Sequence, residues 1–342
     1  MSRDDGPVVR LVGLRAPGGA PVSLEVMAGE AVSLIGPGAG AVVAMVAGLR
    51  RPQSGSVTLG GKRPLPGRGV GALVGAPGLL PQRDLAGNVA LGGSDGGALL
   101  AALGLGSVAR FFPDAVTAAQ AVGAALARGL AGRPGVLLLD PDLSALGGAA
   151  RRDFFAQVGA LRASRGFAVL HAAAEAEEAW ALADRVAVLG PVGIRAVGSP
   201  REVYARPADA VVARALGPAN LLAGVVRESD GEEAAVALAG GVVGAMAHPG
   251  VSAGQACLLL VRPEDVAVLP GVAPEGMGAL AAMVVGVHCH AGWNEVTLML
   301  AAGGADVGAV VARRPAAAPL PAVGESCAVA WPAARAQVLP TE

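Results

Sequence analysis

The sequence predicts an α/β domain followed by a small all-β domain, and three observations carry that reading. Up to residue 218, short β-rich apolar runs alternate with Ala/Leu-rich helical stretches. After 217-GPANLL-222 the texture changes to short alternating strands broken by Gly, Pro and Asp turns. The chain, at 342 residues, is long enough for two cores. Domain limits of 1–218 and 219–342 follow.

The strand candidates of the first part are 31-AVSLI-35, 70-VGALV-74, 135-GVLLLD-140, 167-FAVLHA-172 and 185-RVAVLG-190. The helical candidates are 117-TAAQAVGAALARGLAG-132, 148-GAARRDFFAQVGALRAS-164 and 175-EAEEAWALADR-185, with Thr117 placed to cap the first. Apolar strands separated by helices predict a parallel sheet covered on both faces. In the second part, 223-AGVVRESDGEEAAVALAGG-241, 257-CLLLVRPEDVAVL-269, 281-AAMVVGVHCHAGWNEVTLML-300 and 326-SCAVAWPAARAQVL-339 read as strands of a small barrel or sandwich.

Composition narrows the function classes. The formal net charge is −1, so there is no basic field for nucleic acid. Hydrophobic residues make up 53% but aromatics only 3%, so Ala, Val, Leu and Gly build the core. Lys62 is the single lysine. Cys257, Cys289 and Cys327 are few, odd in number and far apart, which argues against a disulfide framework and for a reducing compartment. The start MSRDDGPVVR has no apolar core of the signal-peptide kind. The uncharged run Ala31 to Leu49 is long enough to span a bilayer, but its central Gly-Pro-Gly makes it a strand, a turn and a helix.

That run contains 35-IGPGAGAVVAMVAGL-49, which has the outline of a phosphate-binding loop. Glycines after a strand let backbone N–H groups converge, and a helix N-terminus favours an anion. A dinucleotide loop fits Gly36-x-Gly38-x-x-Ala41, yet it needs an acid about 20 residues on. No Asp or Glu occurs between Gly40 and Asp84, which excludes it. A P-loop needs a lysine for the β/γ-phosphates and a Ser or Thr for Mg²⁺. Neither is present, so a plain strand–helix turn competes with a degenerate phosphate loop.

Several segments resemble the ATP-binding subunit of ABC transporters, and most of all the importers of polyamines and ferric iron. These are 29-GEAVSLIGPGAG-40, 46-VAGLRRPQSGSVTLGG-61, 78-GLLPQRDLAGNVALG-92, 136-VLLLDPDLSALG-147, 177-EEAWALADRVAVL-189, 198-GSPREVYARPADAVVARALGPANLL-222 and 261-VRPEDVAVLP-270. The last is similar to the VRPE element of an appended regulatory barrel, the TOBE domain. The resemblance spans nearly the whole chain. It implies a P-loop NTPase-like ABC nucleotide-binding domain followed by a TOBE-like barrel. It also implies ATP and Mg²⁺ as cofactors, integral-membrane permease subunits as partners, and a head-to-tail dimer with a like or unlike ATPase subunit. Such a subunit is cytoplasmic and peripheral at the inner face of the membrane. The solute class it implies is polyamines or another small cation.

The family's chemistry is missing from the matching positions. The phosphate loop, Gly36, Pro37, Gly38, Ala39, Gly40 and Ala41, is about three residues short, and Ala41 stands where Lys-Ser-Thr would be. No Phe, Tyr or Trp precedes Phe111 to stack adenine, and 14-LRAPGGAPVS-23 is shortened. The Q-loop glutamine matches Gly75, the catalytic glutamate Pro141, the switch histidine Ala174 and the D-loop aspartate Gly147. The signature matches Val116, Thr117, Ala118, Ala119 and Gln120, with two methyls where bare backbone would approach a phosphate. Asp140, the Walker B aspartate and magnesium anchor, is kept. Asp142 falls one residue after Pro141, the position of the catalytic glutamate, and is expected to point the other way from it. A lysine–phosphate contact is worth roughly 1.5–3 kcal/mol, so ATP affinity and hydrolysis are expected to fall steeply. A competent partner chain could not restore either shared site, because each would keep one of this chain's altered segments. Two rival readings remain: a non-enzymatic regulatory scaffold whose barrel binds a ligand or partner, and an active ATPase with an unorthodox site.

Weaker signals have structural explanations. His288 and His290 share one strand face in 288-HCH-290, short of the three or four ligands a metal needs. His171 lies within a strand and is expected to be buried. Lys62, in 60-GGKRP-64, reads as a solvated charge in a turn. In 150-ARRDFF-155, Phe154 or Phe155 is the buried side of an amphipathic helix, and 201-REVYARPADA-210 is a helix end and linker.

Overall fold

The computed structural model describes residues 6–62, 69–238, 240–271, 279–302 and 305–341. It divides into two compact units, Met1–Val203 and Tyr204–Glu342.

In the first unit the chain runs β1 (Val9–Arg15), β2 (Val22–Val26), β3 (Ala31–Ile35), α1 (Ala39–Val46), β4 (Ser54–Leu59) and β5 (Val70–Gly75). Then come α2 (Leu85–Ala90), α3 (Gly96–Ala102), α4 (Ala118–Leu130), β6 (Val136–Pro141) and α5 (Gly148–Arg165). β7 (Ala168–Ala173), α6 (Ala176–Leu182), β8 (Arg185–Gly190), β9 (Gly193–Gly198) and α7 (Pro200–Ala205) follow. The main sheet has the order β5-β6-β7-β3-β8-β9. Its first five strands are parallel and β9 closes it antiparallel. The five strands expected from apolar runs are these five, each displaced by at most a residue or two at an end.

Residues of β6 alternate between two cores. Val136 and Leu138 pack with α1, β1 and β2, whereas Leu137 and Leu139 pack with α4 and α5. Helices α1 and α4 therefore cover opposite faces of the sheet. Leu137, Leu138 and Leu139 are wholly buried, and truncating one such leucine to alanine costs about 2–5 kcal/mol. Phe154 and Phe155 are both buried in the α4–α5 core.

The helix expected over 175–185 is shorter than its periodicity. α6 stops at Leu182 because Asp184 is engaged by the sheet. Its N–H donates to Ala31 O, and its carboxylate accepts from Ala31 N at 2.9 Å and from Arg162. Strands β1, β2 and β4 were not among the expected ones. They form a separate antiparallel sheet, β2-β1-β4, whose alternating pattern buries Val9, Leu11, Val22 and Leu24.

The second unit opens with α8 (Ala210–Ala215), then β10 (Asn220–Ser229), β11 (Glu233–Leu238), β12 (Gly241–Met246), β13 (Ala256–Val261) and β14 (Ala267–Pro270). It ends with β15 (Leu280–Cys289), β16 (Trp293–Ala302), β17 (Ala305–Pro315), β18 (Ser326–Ala330) and β19 (Ala336–Pro340). The sequence predicts a barrel or a sandwich; the unit holds a closed barrel, β10-β11-β12-β19-β13, and a five-stranded sheet, β14-β18-β15-β16-β17. One core, including Val236, Leu259, Val296, Leu298 and Val338, serves both.

This unit begins before the texture change at 218 because Arg262 ties the preceding segment to it. The Arg262 guanidinium donates to the carbonyls of Ala213, Gly217, Pro218 and Tyr204 and lies 3.8 Å from the centre of the Tyr204 ring. The Tyr204 hydroxyl donates to Glu264.

Candidate functional site

The glycine loop joins β3 to α1 at the carboxyl edge of the sheet, where an open α/β sheet places its ligands. Two glycines are obligatory there. Gly36 has φ 108°, and a Cβ on it would lie 2.5 Å from Leu189 O. Gly38 is the N-cap of α1 in the left-handed region, with φ 88° and no side-chain cap. Ala39 N donates to Gly36 O at 3.3 Å and Val42 N to Gly38 O at 3.0 Å, so the loop is a tight turn closing directly into the helix. Pro37 and Gly38 are exposed, Ala39 is buried, and Gly40 and Ala41 are half-buried. Helix α1 carries no acid in its first turn and no base in its last.

Helix α1 crosses over β7 onto β6, which brings Asp140 against the loop. A Cβ on Gly40 would lie 2.6 Å from Asp140 Oδ2. Asp140 is half-buried, and burial pushes its carboxyl above the usual range. Among the described residues it has no hydrogen-bond or ion-pair partner. Pro141 ends β6 in register with Gly75, which has φ 71° at the end of β5. Asp142 lies just past the end of β6, and its Oδ1 accepts from the hydroxyl and the N–H of Ser144 at 2.6 and 3.0 Å, which holds its carboxyl below the usual range. Arg128 of α4 donates to the carbonyls of Pro77 and Gly78, both at 2.8 Å, and fixes the turn after Gly75.

Ala174 follows β7, and its N–H donates to Glu178 Oε2 at 2.8 Å. The nearby His171 is wholly buried, with Nδ1 3.0 Å from Ser33 Oγ and Nε2 3.7 Å from Glu178 Oε2. Burial pushes the His171 pKa down to about 3 and raises that of Glu178. His171 is thus neutral and, like Ser33, wholly buried, so this Ser-His-Glu row is core polarity, not a catalytic array. Sequence reasoning did not find the roles of Ser33 and Glu178, since both depend on which strand lies beside β7.

The segment Val116–Gln120 heads α4 on the other face of the sheet. Thr117 is its N-cap: its Oγ1 accepts from Gln120 N at 3.3 Å, and Thr117 N donates to Gln120 Oε1 at 2.9 Å. The structure thus brings Gly40, Asp140, Gly75 and Pro141 to one edge of the sheet, and holds the 116–120 segment apart from the loop. Lys62 is exposed in a turn beside Leu59.

Elsewhere, His290 stacks on Trp293 at 3.9 Å between ring centres, and His288 pairs across the strands with Glu295. Among the described residues no group of three or more His, Cys, Asp or Glu converges to hold a metal ion. Cys257 and Cys327 are buried and Cys289 is exposed, all as free thiols. Among the described residues no helix is long and apolar enough to cross a membrane.

No protein-family model matches the chain. Individual relatives do. The sulfate/thiosulfate import ATP-binding protein CysA 2 of Chromobacterium violaceum is 36% identical over 276 residues, 76% of this chain and 74% of the relative. The spermidine/putrescine import ATP-binding protein PotA of Rubrobacter xylanophilus is 32% identical over 339 residues, 93% of this chain and 88% of the relative. The Fe(3+) ions import ATP-binding protein FbpC 1 of Rhizobium meliloti is 32% identical over 280 residues, 76% and 78% of the two chains. Among solved structures, cbiO1 from Clostridium perfringens, part of an ABC transporter complex, superposes with a TM-score of 0.52 at 16% identity. That match covers 59% of this chain and 92% of the other, and supports the α/β fold. With a nucleotide-loop topology at the sheet edge and homology along most of its length, the chain belongs to the family of ABC importer ATP-binding subunits.

Proposed function

We propose that this chain is the ATP-binding-subunit homologue of an ABC importer that has lost effective ATP binding and hydrolysis. In this reading residues 1–218 are the nucleotide-binding domain and 219–342 a TOBE-like regulatory barrel. The subunit lies at the cytoplasmic face of the membrane against permease subunits and pairs with a second ATP-binding subunit, like or unlike itself. The relatives' names cover sulfate, polyamines and ferric iron, so small-solute uptake is the level they support, and polyamine uptake is the narrower member of that set.

The observation that carries the loss of activity is the charge at the loop. The group packed on Gly40 is the Asp140 carboxylate, with no cation beside it. A triphosphate brought there would meet negative charge without the lysine that offsets it or the hydroxyl that shares its Mg²⁺. The residues present do not fit Mg·ATP. Pro141 cannot orient a water, and Ala174 offers no imidazole. The site therefore supplies neither the positioning nor the charge stabilisation that phosphoryl transfer requires.

Isothermal titration with Mg·ATP tests this, run on the full chain and on a version with Gly-Lys-Ser-Thr in place of Ala41. The expected result is no saturable heat with the natural sequence, and binding in the restored version. The lysine alone should contribute about 10- to 100-fold in affinity. Tight binding or turnover by the unaltered chain would instead mean an active ATPase with an unorthodox site. The regulatory-scaffold reading is favoured by one feature of the second unit, a cavity of about 760 Å³.

A further inference from the structure

A row of polar side chains is buried in the first unit. Ser33 of β3 and His171 of β7 stand in register on neighbouring strands, and Glu178 of α6 completes the row. Ser33 and His171 are wholly buried, and the Glu178 side chain keeps 7% of its surface exposed. His171 Nδ1 lies 3.0 Å from Ser33 Oγ. Its Nε2 lies 3.7 Å from Glu178 Oε2 and has no hydrogen-bond partner. That same oxygen accepts from Ala174 N at 2.8 Å. Buried polar atoms are seldom left unanswered, and a small movement of Glu178 answers this one.

Two proton arrangements fit the row. With Glu178 ionised, its carboxylate can only accept, so the imidazole proton sits on Nε2 facing it, and Nδ1 accepts from the Ser33 hydroxyl. With Glu178 protonated, the carboxyl O–H donates to Nε2, the imidazole proton sits on Nδ1, and Ser33 Oγ accepts from it. One proton enters from water at the Glu178 edge. The ring exchanges its Nε2 proton for one on Nδ1 through water during local opening and stays neutral. The Ser33 hydroxyl keeps its proton and turns it away from the ring.

The surroundings favour the carboxyl as the seat of the added proton. Charged groups reach Glu178 from two helices, Arg151 of α5 and Glu175 of α6, and these pair with each other at 3.2 Å. Phe155 of α5, 5.2 Å from the imidazole between ring centres, and Leu139 of β6 bring no charge to His171. Burial holds the Glu178 carboxyl above its usual range against the pull of Arg151, and it pushes the imidazole down to about 3.

We propose that Ser33, His171 and Glu178 form a one-proton switch, in which protonation of Glu178 reverses the tautomer of His171 and the direction of its hydrogen bond with Ser33. The switch carries a pH signal from the first turn of α6 into β3, the strand that runs into the glycine loop. It does not rest on the ATP reading.

The test is nitrogen-15 NMR of the four histidine rings in the full chain, from pH 8 downward while the chain stays folded, with His171 assigned by the signals missing from His171→Phe. At pH 8 His171 should carry its proton on Nε2, and on acidification the proton should appear on Nδ1 with no imidazolium formed. Glu178→Gln keeps the shape, offers its carbonyl to Ala174 N and gives Nε2 a permanent N–H donor. In this variant His171 should be the Nδ1–H tautomer at every pH, already at pH 8. The proposal is overturned if parent and variant show the same tautomer at pH 8, if the folded parent keeps one tautomer throughout, or if His171 becomes imidazolium in the folded chain. If the variant does not fold, the parent titration alone decides.

Discussion

The heads of α1 and α4 are two helix N-termini built in opposite ways. At α4, Thr117 and Gln120 cap each other's backbone through side chains three residues apart, so the local sequence supplies everything the terminus needs. At α1, no side chain caps. The terminus is set by the left-handed Gly38, by the fit of Gly36 against Leu189, and by Asp140 arriving from β6. The first terminus is autonomous. The second is defined by residues about 100 to 150 positions away, and a loop shortened there changes charge and geometry together. An acid near the positive end of a helix dipole is favourable. Here its partial burial works the other way and raises its pKa.

A large effect at neutral pH is expected from Gly36→Ala. It combines a positive φ with a 2.5 Å approach to the Leu189 carbonyl, and should cost about 3 kcal/mol by denaturant unfolding. A variant as stable as the parent would show that β8 does not hold the loop. Thr117→Ala should cost about 1 kcal/mol, the ordinary loss of a cap. It should leave the α1 end untouched, as hydrogen exchange at residues 39–46 would report.

The smallest effect carries the opposite sign. Asp140 has a folded pKa above 3.8, so its native form binds more protons than the unfolded chain as pH rises past that value, and stability falls across the window. Asp140→Asn should therefore raise the melting temperature at pH 7, with a gain that vanishes below pH 3.8. His171 runs the other way: its pKa drops from 6.5 to about 3 on folding. The parent should lose about 1.4 kcal/mol per pH unit on acidification through that window. His171→Phe should flatten that limb, leaving Glu178, whose carboxyl is raised by burial, to titrate without the imidazole 3.7 Å away. Melting curves from pH 3 to 8 on the three proteins separate the two groups. A destabilising Asp140→Asn would show that the carboxylate braces the loop.

Much of this was legible in the sequence. The five parallel strands, the Thr117 cap and the strand–turn–helix of residues 31–49 are local patterns of period, cap and glycine, and local patterns survive without knowledge of neighbours. The buried state of His171 was readable from its place in an apolar run. The sheet β2-β1-β4 was missed because β1 and β2 alternate buried and exposed residues and are not continuous apolar runs, and because β4 lies far from them in sequence. The length of α6 was misjudged because Asp184 answers to β3, not to helical period. The Arg262 anchor left only a faint trace, the VRPE element, whose quoted residues do not say what the guanidinium holds.

The sequence by itself determined what the loop lacks: without lysine, serine or threonine at residues 36–41, no fold can place those groups on that turn. It also determined the class of each long element. Only the tertiary structure decided that Asp140 would lie on Gly40, that His171 would face Ser33 and Glu178, and that Arg262 and Gln337 would line one cavity. Such meetings depend on strand order and crossover path, which join residues far apart in the chain and leave no periodic mark along it.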